Sequence, residues 1–337
     1  MNEKRTDDDT RMTIFASHIR RLLTLTAAVL VAWAMHAQPD ASLSHFWVSP
    51  TYYNPASAGS LDAIHLTLGS RLQWVDIKNA PMNFMVMGDM PFRFMEQRWG
   101  VGARVEAERI GLYTSTRVGA QLAWKRKMLR GTLSVGIQPG IISQTFRGEE
   151  VIIPDDDAHD SSDEAIPKQA VSGTVFDASA GIAFTRPRWW VSASVTHLTA
   201  PSILLRVNRD AQDYYEFNVS RGYYLMGGCN IPIKNTLFEL QPAAMVGTDF
   251  NAWTMQANLR VRYNRFLSAG VGYRHNDAAT AYIGVNLKDA YIGYAYDYPI
   301  SAISKVTYGS HEVFITYNVK LDMKEKNRNK QKSIRLM

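Results

Sequence analysis

From about residue 61 onward, apolar and polar residues alternate one by one in runs of about ten, and no stretch beyond residue 38 offers the roughly 18 consecutive apolar residues of a membrane-crossing helix. Ile64, Leu66, Leu68, Leu72 and Trp74 alternate with His65, Thr67, Gly69, Arg71 and Gln73; Trp99, Val101, Ala103, Val105 and Ala107 alternate with Gly100, Gly102, Arg104, Glu106 and Glu108. Successive side chains of a strand point to opposite faces, so each run has one apolar face and one charged or glycine-bearing face. Soluble sandwiches alternate too, but with strands nearer five or six residues. The same pattern recurs at 84–90, 116–124, 132–142, 175–185, 190–198, 223–231, 238–246, 253–263, 266–274, 281–287, 290–298 and 311–319. The expected fold is all-β: a single-chain antiparallel transmembrane outer-membrane β-barrel of about 14 strands, an even number as such barrels have.

Connection lengths agree with that count. Odd-numbered connections include the long ones, 147–174, 199–222 and 299–310, whereas even ones such as 127–130, 186–189 and 264–265 are short. Short turns on one side and long loops on the other are the habit of these barrels and place both termini in the periplasm. Trp74, Trp99, Trp124, Trp189, Trp190, Trp253, Tyr263, Tyr298 and Tyr317 fall at strand ends, where amphipathic rings meet the lipid–water interface. Arg71, Arg104, Glu106, Glu108, Arg117, Arg260, Arg262 and Arg274 all lie on polar strand faces. Facing lipid, a basic side chain would cost about 2–4 kcal/mol at mid-membrane, so these are expected to face the lumen. There they either cross-pair in a filled interior or line a path for ions or peptide.

Ahead of the alternating region, Arg20-Arg21 leads into the apolar stretch Leu22 to Ala34, followed by Met35-His36-Ala37. A basic flank, a short apolar core and small residues at the cut read as a signal peptide over 1–37, cleaved near Ala37. The expected organisation is then an N-terminal periplasmic or plug-like segment over 38–60, the barrel over 61–319 and a basic tail over 320–337. The formal charge of +6 divides unevenly: 1–37 carries +1, 320–337 carries +5, and 38–319 is neutral. The tail residues Lys320, Lys324, Lys326, Arg328, Lys330, Lys332 and Arg335 either dock on an acidic periplasmic partner or form a solubilising end. In that compartment nucleic acid is not a partner.

Three blocks resemble the PorP/SprF family of type IX secretion system membrane proteins. The first is Asn54-Pro55-Ala56-Ser57-Ala58-Gly59; the second is Arg71-Leu72-Gln73-Trp74, with Asp89-Met90-Pro91 behind it; the third is Tyr296-Asp297-Tyr298, followed by Gly309-Ser310-His311-Glu312. Together they bracket nearly the whole chain after the leader. The resemblance implies a non-enzymatic outer-membrane component of the secretion and gliding machinery. It further implies a periplasmic ring and peptidoglycan-associated subunits as partners, and surface delivery of adhesin-like or secreted cargo.

Other readings of particular residues are weaker. The 54–59 block is either a plug or partner contact, or a plain turn into the wall. The acidic run 155–164 lacks the glycine and glutamate of an EF-hand loop and reads as a solvated outer loop. No histidine pair has metal spacing, and no G-x-S-x-G or comparable nucleophile motif occurs, so neither cofactor nor enzymatic activity is expected. The alternative function is a passive porin or small-solute transporter.

Overall fold

A computed structural model describes residues 40–151, 167–207 and 213–321. The leader, the acidic run 155–164 and Lys324, Lys326, Arg328, Lys330, Lys332 and Arg335 lie outside the described residues. The strands are β1 (Ala63–Leu72), β2 (Met82–Phe94), β3 (Gln97–Ile110), β4 (Tyr113–Met128), β5 (Gly131–Arg147), β6 (Ala170–Thr185), β7 (Trp189–Thr196), β8 (Ser202–Leu205), β9 (Tyr215–Asn218), β10 (Gly222–Cys229), β11 (Ile231–Pro232), β12 (Phe238–Thr248), β13 (Trp253–Tyr263), β14 (Leu267–Arg274), β15 (Ala278–Leu287), β16 (Ala290–Pro299) and β17 (Ser310–Lys320).

Fourteen of these form a closed antiparallel barrel: β1 to β7, β10, and β12 to β17, with β10 bonded to β12 and β1 to β17. Each of the fourteen alternating runs of the sequence falls on one wall strand. Closure leaves no free edge, which a backbone in hydrocarbon requires. The outer face exposes Leu66, Leu68, Phe84, Val86, Val105, Val118, Ile137, Phe176, Leu225 and Ile283. The inner face buries Arg71, Arg104, Glu106, Gln121, Lys125, Gln256, Asp297 and Glu312. This inside-out arrangement is what lipid outside and a polar interior demand.

Several boundaries differ from the sequence reading. β1 ends at Leu72, and Trp74 stands in the following turn with a left-handed backbone (φ 50°), its N–H donating to Ser310 Oγ. β17 runs through Lys320, which pairs with Ala63 and whose ammonium lies 2.8 Å from Asp289, so the barrel rather than the tail claims that lysine. β5 reaches Arg147 with Pro139 inside it. Proline offers no N–H, and the β4–β5 pairing skips from Gly119↔Gly140 to Leu122↔Ile137 at that point. The long connection after β7 holds the hairpin β8–β9, bridged to β6 through Ser172 and Arg206. Wall height is uneven: β4, β5 and β6 have 16, 17 and 16 residues, β7 and β10 only 8 each.

Candidate functional site

Residues 40–60 thread the lumen. Leu43, Phe46, Tyr52, Tyr53, Ala56 and Ala58 are among the most buried of the described residues, and the first four pack with Met85, Met226, Met245 and Phe314 from the wall. Two single 3-10 turns, Pro50–Tyr52 and Pro55–Ser57, fold the segment. Each starts on a proline, which supplies the helical φ and lacks only an N–H that would go unused there. The Asn54 side chain caps the second turn by accepting from Ala56 N–H.

Charged residues of the second and third resembling blocks meet on this plug, contacting residues up to 268 positions away. Glu312 accepts from the backbone N–H groups of Ser44 (2.8 Å) and His45 (2.6 Å). Its carboxylate also lies 2.8 Å from His45 Nδ1 and 3.0 Å from Arg71. Arg71 bridges to Asp297 at 2.7 Å, and Ser44 Oγ donates to Asp297 while accepting from Arg71 and Arg274. Arg274 also reaches Asp277 at 2.8 Å. Charges buried this deeply persist only when paired, and here Arg71, Arg274, Asp297 and Glu312 all are, although Arg71 Nε and His45 Nε2 stay buried without a hydrogen-bond partner among the described residues.

Further along the chain, Asn54 Nδ2 donates to the carbonyls of Ile182 and Ala193, and Asp89 accepts from Gly59 N–H at 2.7 Å. Lys125 donates to Ala56 O at 3.0 Å. Glycines make room for this stretch. A Cβ at Gly100 would sit 1.9 Å from Ala58 O, one at Gly136 2.4 Å from Ala56 N, and one at Gly181 2.2 Å from Asn54 Oδ1. Gly59 has φ +64°, a conformation that side chains rarely adopt, and lies against Pro91 and Gly100. Glycines of β3, β5 and β6 thus form a groove fitted to Asn54–Gly59.

A second charged cluster sits beside Tyr52. Its hydroxyl donates to Glu106 at 2.6 Å, Arg104 lies 3.0 Å from Glu106 and stacks 4.6 Å over the Tyr52 ring, and Arg117 joins Glu106 (3.4 Å) to Glu108 (2.9 Å). Arg260 stacks on Trp47 of the plug, and Arg262 pairs with Glu239. The polar-face residues therefore cross-pair with each other and with the plug. Two cavities within the lumen, at Asp40–Tyr224–Met245 and at Arg104–Gln138–His197, measure about 20 Å³ each, room for about one water molecule.

Other motif residues stand apart. His311 and Tyr296 lie next to Glu312 and Asp297 in sequence but point to the outer face, where Tyr294 and Tyr296 contact the His311 ring. Gln73 closes the β1–β2 turn through Pro81 O.

One anchor was not anticipated from the sequence: Asp40, whose carboxylate lies 3.3 Å from His197 and accepts from Thr196 and Tyr224, while Asp177 holds the other His197 nitrogen at 2.7 Å. Asp40 therefore sits at the ends of β7 and β10 that lead into the 197–221 connection, whereas Leu321 bonds Asp62 at the opposite end of the wall. Asp40 and Leu321, the first and last described residues, thus lie at opposite ends of the wall. Burial disfavours the His197 cation, but the Asp40 and Asp177 carboxylates outweigh it and push its pKa up to about 9. Burial also works against the Asp40 carboxylate, but His197 holds its pKa well below the usual range. The contribution of His197 to the latch is complete below the unfolded histidine value of about 6.5 and is lost as pH rises through about 9. A maleimide-reactive Ala41→Cys in a Cys229→Ser background is therefore expected to become labelled between about pH 8 and 10. Added His197→Gln should give labelling without that rise.

No curated protein matches the chain. Among solved structures, the Ralstonia pickettii toluene transporter TbuX is similar at 10% identity and TM-score 0.49, covering 80% of this chain and 92% of that one. The CymD monoaromatic hydrocarbon channel is similar at 11% and 0.46, covering 81% and 92%. A Pseudomonas aeruginosa FadL homologue follows at 9% and 0.44, covering 80% and 93%. Residues 35–317 match the family described as "Type IX secretion system membrane protein PorP/SprF".

Proposed function

The chain belongs to the PorP/SprF family of type IX secretion system membrane proteins, and from that membership we propose that it is a non-catalytic, plugged outer-membrane component that docks periplasmic subunits of the machinery. The observation that carries this reading is the filled lumen: an N-terminal segment held by buried ion pairs, with side chains cross-paired around it. A passive pore gains nothing from such a filling; a docking platform gains a stiff wall.

Docking falls at the end where β1 begins and β17 finishes, the side of the short turns 95–96, 129–130 and 288–289. Residues 322–337 continue from that end, and the excess positive charge of 320–337 suits an acidic partner. The periplasmic ring and peptidoglycan-associated subunits are the proposed partners, and adhesin-like or secreted proteins the proposed cargo.

Deleting the gene should abolish surface appearance or secretion of a subset of proteins while leaving outer-membrane permeability unchanged. Truncation after Leu321 should leave the barrel folded but lower co-purification with periplasmic subunits, more so at low ionic strength, where charge pairing is strongest. Unaltered secretion in the deletion strain would refute the role.

A further inference from the structure

Among the described residues the lumen also holds a larger space. Above the Glu108–Arg117 ion pair lies a cavity of about 280 Å³, walled by Ile110, Tyr113 and Ile142 from β3, β4 and β5 and roofed by Phe217 of β9 and Val219 just after it. Its size is just under the roughly 300–1,000 Å³ of drug-sized ligand pockets. The walls are apolar and aromatic, with the Tyr113 ring 5.5 Å from Phe217 and 4.8 Å from Phe146.

The polar groups of this cavity converge. Ser115, 6% exposed, has a buried hydroxyl with no hydrogen-bond partner among the described residues, although buried polar atoms nearly always have one. Gln144, 3% exposed, lines the same space with an amide that can both donate and accept. The charges are already balanced: Arg117 serves Glu108 and Glu106, and Arg104 serves Glu106. A charged ligand head would have to break that pairing, whereas an uncharged one needs only Ser115 and Gln144.

We propose that this cavity binds a small molecule with an apolar or aromatic body and an uncharged hydrogen-bonding head, such as an alcohol, phenol or primary amide, its head on Ser115 and Gln144 and its body against Tyr113, Ile142 and Phe217. The site is separate from the docking end and does not depend on the secretion role. Bound there, the ligand touches the Glu108–Arg117 pair, which continues through Glu106 to the Tyr52 hydroxyl of the plug.

The test is a titration of 4-fluorophenol into the full chain in lipid nanodiscs, followed by fluorine NMR, with empty nanodiscs measuring partition into lipid. A saturable bound signal is expected, displaced by 4-methylphenol and not by 4-methylbenzoate. Ser115→Ala should weaken binding about three- to tenfold, the loss of one hydrogen bond. Val219→Trp fills the cavity from its roof, outside the barrel wall, and should abolish the signal while the barrel's heat-modifiable gel migration is retained. A signal no larger than that of empty nanodiscs, saturable binding unchanged in Val219→Trp, or displacement by the benzoate would each overturn the proposal.

Discussion

Arg71→Leu is expected to unseat the plug. The substitution leaves Asp297 and Glu312 buried at 2% and 1% exposure without the guanidinium that lies 2.7 and 3.0 Å from them. Removing one partner of a buried ion pair typically costs about 3–5 kcal/mol, because the remaining charge keeps its desolvation penalty. Arg274 reaches Asp297 only at 3.5 Å and is shared with Asp277, so it offsets little of this. The wall itself is held by its ladders and closed through β1–β17 and β10–β12, so the loss falls on the Ser44–His45 attachment. In planar bilayers the variant should conduct where the parent does not, and protease should cut within residues 40–60. Arg71→Lys should restore only part of the seating, since an ammonium lacks the planar fork that serves two carboxylates at once. Neutralising both acids with Asp297→Asn and Glu312→Gln should relieve the defect of Arg71→Leu. Conductance and proteolysis identical to the parent would show that the plug is held elsewhere.

Gly136→Val tests the groove independently of charge. Even the first carbon of a side chain there would stand 2.4 Å from Ala56 N and 2.5 Å from Pro55 C, both plug backbone atoms with no rotamer to give. Valine is well accepted in a strand, so the wall tolerates the change and the plug does not. Overpacking costs about 1–3 kcal/mol, a shift of about 5- to 150-fold in seated against unseated populations. The expected readout is faster thiol labelling of a Ser57→Cys reporter in a Cys229→Ser background, with unchanged heat-modifiable migration. Gly227→Val is the matched control, because Gly227 lies on the outer face and the nearest atom to its added carbon is Trp190 O at 3.3 Å. Equal labelling in both variants would remove the groove from the account.

How much of this was readable beforehand differs by level. All fourteen wall strands carry the period-two pattern, because lipid on one side and polar filling on the other sort residues strictly along a strand. Strand ends were less legible. Trp74 continues the alternation of β1, yet the chain turns at Gln73, where Ser310 Oγ and Pro81 O take the next backbone N–H groups. β8 was invisible, since Ser202–Leu205 is a four-residue run in a long connection and owes its strand to pairing with Tyr215–Asn218. The assignment of Arg71, Arg104, Arg117 and Arg274 to the lumen followed from their strand face alone. Which acid each one meets did not, because Asp297 and Glu312 approach Arg71 only once β1 is zipped to β17 and β16 lies beside it.

The plug illustrates the same division. Asn54-Pro55 and Gly59 announce a turn from local chemistry, but a plain turn and a lumen filling share that signature. Asp40 carries no local mark at all; its partners Thr196, His197 and Tyr224 lie 156 to 184 positions away. Alternation along the chain was enough to specify a closed membrane barrel, since side-chain direction in a strand is a local property. Closure alone decided that the lumen is occupied, by which segment and through which ion pairs, because only a completed cylinder brings β1, β6, β7, β16 and β17 around one stretch of chain and excludes water from the charges they share.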